Sequence, residues 1–218
     1  MDYDQFKQYV GITLANDGIE LIVDSSYSKL SVNARTCAGM FEPESESGSP
    51  LLRYTEDELA FETLLHEFCH SRQHVEDSLV WQQSCTDNDG LYAIYGDIWH
   101  SIVDEWIFNP DFQVDVKHLL KQLRLDIAVE LDCEIRAAHL IDRLNLYLDK
   151  TKYIQQANAL LYFYAYLFDL EPRWFLAGRT PYRVDFVWKN MPGNFHTYSY
   201  FKPLPEHLKS LFDYCVGI

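Results

Sequence analysis

Paired cysteines are missing from this chain. Its five cysteines, Cys37, Cys69, Cys85, Cys133 and Cys215, are scattered, odd in number and nowhere form a C-x-x-C pair. That spacing speaks against a zinc ribbon, and thiols so scattered are expected in a reducing compartment. Long hydrophobic runs are missing too: Leu160 to Leu170 is short and takes in Asp169, so no membrane span is expected. Met1-Asp-Tyr-Asp lacks a basic stretch followed by an apolar one, so no signal peptide is expected, and the expected location is cytoplasmic. Positive charge is scarce, with 18 Lys and Arg against 33 Asp and Glu for a net −15. Such a surface repels phosphate backbones and anionic lipid, so neither nucleic acid nor membrane is an expected partner; a basic partner or substrate suits it better. No internal repeat is visible. What is present is ample material for a core, 48% hydrophobic and 15% aromatic over 218 residues. This fits a single domain, or a domain with an elaborated end.

The most informative stretch is Thr63 to Gln73, which contains His66-Glu67-Phe68-Cys69-His70, an H-E-x-x-H motif. On a helix, residues four apart share one face, about 6 Å apart along the axis. Two imidazoles so placed can bind one zinc ion, and Glu67 can then act as general base toward a water activated by it. Ala60, Phe61, Leu64, Leu65 and Phe68 supply a helical apolar stripe, so the motif belongs on a helix that is mostly buried. Thr55 is the expected N-cap, with Glu58 completing a capping box. Two histidines and a glutamate on such a helix are costly unless something satisfies them. Either a metal does so, or they form a metal-free polar network in the core.

A catalytic zinc needs a third protein ligand and one open position. His74 follows His70 by four, but lies roughly 12 Å from His66 along an unbroken helix, too far for one ion. It is therefore a candidate for the rim of the site. Glu130 is the better candidate, in a Gly- and Pro-free segment where Asp126, Glu130 and Glu134 recur every four residues among Ile127, Val129, Leu131 and Ile135. Acidic groups on a largely buried helix need partners. Glu130 as ligand, with Glu134 accepting the free N–H of a ligand histidine, is a sensible division of roles. A solvated acidic face served by nearby arginines is the competing account. Cys69 is expected in packing, and Arg72 and Gln73 as supports of the helix or rim.

Elsewhere, residues 2–14 read as a helix, and 20–24, 29–40 and 51–54 as strands, with a polar loop at 41–50. Thr86 to Gly90 reads as a turn without the full calcium-loop pattern. Residues 145–170 read as helix, with tyrosines and phenylalanines that pack, and 173–200 as strands and loops. The fold class is α+β: mainly helical, with a small N-terminal antiparallel or mixed sheet beside the H-E-x-x-H helix and a second, Glu-bearing helix. Residues 1–55 are the sheet region, 56–170 the helical catalytic core and 171–218 a C-terminal extension of one domain.

H-E-x-x-H followed by Glu130-x-x-x-Glu134 resembles the gluzincin zinc peptidases. More narrowly, His66 to His74 with Glu130 to Ala137 is similar to ImmA/IrrE-like and minimal gluzincins, with H-E-x-x-H-x-x-x-H and then E-x-x-A-N-x-F-A. Cys133 and Glu134 stand where that pattern has Ala and Asn, and the insert between the two motifs is longer. The resemblance spans roughly residues 50–140. It implies a metalloprotease with one zinc ion held by His66, His70 and Glu130, Glu134 supporting them, Glu67 as base, and a peptide or protein substrate. Such enzymes add a donor for the developing oxyanion; His196, Tyr198, Tyr200 and Tyr153 are the candidates here. Glu-x-Cys-His also resembles SprT-like proteases, whose third histidine corresponds in order to His100, ranked below Glu130. Two other classes stay open. One is a non-catalytic acidic binding or inhibitor protein on a peptidase-like fold. The other is a dimetal carboxylate helix bundle, for which the second E-x-x-H is missing, since Glu134 precedes His139 by five.

Overall fold

The structure, a computed structural model, describes residues 1–23, 38–44, 48–95, 101–176, 178–196, 199–202 and 204–218. Most of the expected strand at 29–40 therefore lies outside the described residues, as do His100 and Tyr198. Among the described residues there are eight helices and a three-stranded mixed sheet, the mainly helical α+β class expected from the sequence. No described helix is long and apolar enough to cross a membrane. The chain forms two compact units, 1–78 with 133–150 and 79–132 with 151–218.

The first unit opens with α1 (Tyr3–Asn16), started by a reciprocal capping box between Asp2 and Gln5. Phe6, Val10 and Leu14, spaced four apart, form its buried stripe. Three short strands follow: β1 (Glu20–Val23), β2 (Gly39–Glu42) and β3 (Leu51–Tyr54). β3 is central, parallel to β1 and antiparallel to β2, with Glu20 opposite Leu51 and Gly39 opposite Tyr54. Leu52 and Tyr54 of β3 are fully buried, as are Leu64 and Leu65 of α2 (Ala60–Val75). Phe6 meets Phe68 edge to face at 6.2 Å, and Tyr9 meets it at 6.0 Å, joining α1 to α2 through aromatic contacts. The Tyr3 hydroxyl lies 2.8 Å from that of Tyr54 and donates to Glu56, which also takes Lys7 at 2.5 Å. Burial pushes both phenols above their ordinary range.

The expected cap of α2 is not formed. The helix starts at Ala60 after Leu59, which makes no side-chain cap bond, while the Thr55 hydroxyl donates to the Ala38 carbonyl. Pairing β3 to β2 uses Thr55 to extend the ladder, since its N–H also bonds Ala38. Asp57 accepts from the Leu59 N–H instead.

The second unit is helical. It contains α3 (Leu79–Tyr95), α4 (Ile102–Phe108), the first part of α5 (Val116–Arg143), most of α6 (Lys150–Tyr166), α7 (Asp185–Trp188) and α8 (Glu206–Val216). α3 runs straight through 86–90, so the turn expected there does not form. A glycine inside a helix costs about 1 kcal/mol, and cooperative propagation from both flanks outweighs it. α5 is unbroken for 28 residues because nothing in it interrupts the helical hydrogen bonds. Helical structure over 145–170 begins only at Lys150, after a turn in which Asn145 adopts a left-handed conformation. The stretch 173–200 contains no strand among its described residues. Its backbone carbonyls are taken by α6 side chains instead: Gln155 bonds Met191, Gln156 bonds Tyr182, and the wholly buried Asn158 bonds Pro192 and Asn194. Phe163 anchors an aromatic cluster with Trp174, Phe175 and Phe212, each ring within 6 Å.

Leu64 is fully buried between α2 and its neighbours. Leu64→Ala should lower stability by about 2–5 kcal/mol, read as a shift of the urea unfolding midpoint at unchanged slope.

Candidate metal centre

α2 places His66 and His70 one turn apart, and their Nε2 atoms lie 3.1 Å from each other. What each ring does with its other nitrogen fixes the chemistry. His66 Nδ1 is 3.1 Å from Glu134 Oε1, and His70 Nδ1 is 2.8 Å from Gln73 Oε1. A carboxylate and an amide oxygen only accept, so both Nδ1 atoms carry the proton. In that tautomer each neutral ring carries a lone pair on Nε2, and the two Nε2 atoms are within hydrogen-bond distance. A shared proton or a metal ion between the two Nε2 atoms satisfies both. Donor chemistry fits a metal: two neutral imidazoles with their outer N–H groups anchored, the arrangement that sets ligand tautomer and basicity in zinc sites.

Glu134 is buried and reaches His66 from α5. Cys133, its neighbour, is also fully buried. Its Sγ donates to the His66 carbonyl at 3.3 Å and lies 3.7 Å from His66 Nδ1. Donor atoms of His66, His70 and Cys133 all lie within 4.8 Å of one another, the one such grouping of three among the described residues. Glu130 lies on α5 one turn before Glu134 and falls in the second unit.

Glu67 is 7% exposed and sits against the first residue of β2. A Cβ at Gly39 would fall 2.6 Å from Glu67 Cγ, 2.7 Å from Thr63 Cγ2 and 2.9 Å from Glu67 Oε1. Glycine is thus required for space: the backbone of β2 comes up to the carboxylate side chain directly. β2 is also an outer strand of the sheet, paired with β3 alone among the described residues.

The other residues of the motif region face elsewhere. His74 packs on Phe41, ring centres 5.5 Å apart. Cys69 and Arg72 line a separate cleft of about 560 Å³ with Tyr9, Glu76, Arg136 and His139. There Arg72 pairs with Asp17 and Arg136 with Glu76. In the second unit, Tyr200 is fully buried, its hydroxyl donating to Asn158 and accepting from the His196 N–H. Burial pushes that phenol above its ordinary range. Tyr153 is likewise buried there, whereas the His196 side chain is exposed.

Sequence reading missed three of these roles. Gln73 was a helix support, yet it is fully buried and sets the His70 tautomer; its i,i+3 spacing from His70 was the available signal. Gly39 and Cys133 carried no local signal, because their importance comes from residues 28 and 67 positions away. Comparison of the chain with family models, with curated proteins and with solved structures returned no match.

Gly39→Ala must displace Glu67 or β2, and should cost about 1–3 kcal/mol in thermal or urea unfolding. Gln73→Leu, which removes the acceptor from His70, should weaken zinc binding by about 10–100-fold in a chelator competition assay.

Proposed function

We propose that this chain is a zinc-dependent hydrolase of peptide bonds, a gluzincin-type metallopeptidase acting in the cytoplasm. The observation that carries this reading is the pair of Nε2 atoms 3.1 Å apart, with the outer nitrogens of the two rings held by Glu134 and Gln73. His66 and His70 would hold the ion, with Glu130, one helical turn before Glu134, as the third ligand suggested by the E-x-x-x-E spacing. A bound zinc ion supplies the charge that polarises a carbonyl and makes water acidic near neutral pH.

Each remaining task falls to the protein's own groups. Glu134 and Gln73 hold the two imidazoles in one tautomer and orientation. Glu67, next in sequence to a ligand, takes the proton of the attacking water and passes it to the leaving amine. The absence of a side chain at Gly39 leaves room for the carboxylate beside β2. The oxyanion donor is left to His196, Tyr198 or Tyr200 by the sequence resemblance alone.

Purified protein loaded with zinc should hold about one ion per chain and cleave a fluorogenic pool of unstructured peptides. Glu67→Gln should keep the ion and lower cleavage by about 10²–10⁴-fold. Activity that survives this substitution removes Glu67 as the base. Glu130→Ala should lower zinc occupancy, measured by elemental analysis; unchanged occupancy transfers the third position to another residue.

A further inference from the structure

Resting on the metal centre proposed above, the geometry points to Cys133 as a further, displaceable ligand of the same ion, which makes the resting centre latent. Neither the hydrolytic chemistry nor the H-E-x-x-H and E-x-x-x-E motifs call for a thiolate. Cys133 is nevertheless fully buried, one residue before the glutamate that anchors His66. Its sulfur lies 3.7 Å from Nδ1 of the His66 ring, and one donor atom each of His66, His70 and Cys133 lie within 4.8 Å of one another. A tetrahedral ion with bonds of about 2.0–2.3 Å separates its donors by roughly 3.3–3.8 Å. Rotation about the Cys133 Cα–Cβ bond moves the sulfur without moving the helix.

In the present arrangement the thiol hydrogen points to the His66 carbonyl. On metal binding, the S–H bond breaks, its proton leaves to solvent, and the sulfur lone pair forms the bond to the ion. A thiolate buried here, next in sequence to Glu134, is offset in charge by a divalent ion. Thiolate with two imidazoles selects zinc or cobalt over magnesium, calcium and manganese. With Glu130 also bound, Cys133 is the fourth protein donor. The shell is then closed in the manner of structural zinc sites, and water enters only when the thiolate leaves.

Cobalt(II) titrated into the metal-free, full-length chain tests this directly. Wild-type protein and Cys69→Ser should both show the near-ultraviolet thiolate-to-cobalt charge-transfer band. Cys133→Ser should lose the band, keep the ion, and in its zinc form cleave the peptide pool about tenfold faster than wild type as the position opens. Cobalt bound at one per chain without the band overturns Cys133 as a ligand and leaves the histidine centre standing. A wild-type chain that binds no cobalt overturns the metal centre itself. A Cys133→Ser protein that folds but loses the ion overturns the displaceable role. The wild-type spectrum decides ligation whether or not the variant folds.

Discussion

Two hydrogen bonds on the outer nitrogens of His66 and His70 govern the whole site. The Glu134 carboxylate and the Gln73 carbonyl oxygen accept from Nδ1 of the two rings, which leaves their Nε2 atoms 3.1 Å apart as the remaining donor positions. Without those acceptors either ring could present an N–H instead, and the pair would be an ordinary hydrogen bond between histidines. With them both Nε2 atoms are turned into electron-pair donors suited to a cation. The tautomers, the donor set and the position of any bound ion all follow from these two contacts.

The surrounding fold is arranged around holding α2 still. Its apolar face, Leu64, Leu65 and Phe68, is sealed by α1 and the small sheet. Its C-terminal turn is tied by Arg72 to Asp17, and Glu76 is tied to Arg136. The end of α5 brings Cys133 and Glu134 to the histidine side of α2. β2 approaches the opposite flank so closely that only glycine fits beside Glu67. A rigid helix with acid, thiol and backbone fixed around it is what a coordination site needs, because donor positions must hold to within fractions of an ångström.

Much of this was legible in the residues. The mainly helical α+β class was legible, and α1, β1, β3 and the 126–138 part of α5 fall where residue patterning puts them. Glu134 as the acceptor for a ligand histidine followed from spacing on a buried helix. Other features were not legible, for definite reasons. The capping box at Thr55 and Glu58 fits a local rule, but the sheet claims Thr55 for the ladder to Ala38. The turn expected at 86–90 rests on composition, and helix cooperativity overrides it. The absence of strands in 173–200 depends on Gln155, Gln156 and Asn158 reaching its carbonyls from another helix.

By itself the sequence determined the helical spacing of His66, Glu67 and His70, the acidic repeat of α5 and the apolar faces that bury both helices, since periodicity is a property of neighbouring residues. Only the tertiary structure decided that Gln73 sets one histidine and Glu134 the other, that Gly39 clears space for Glu67, and that Cys133 rather than Cys69 stands beside the imidazoles. Those choices depend on how distant segments meet. Such meetings are fixed by side-chain packing across the core, which no local pattern encodes.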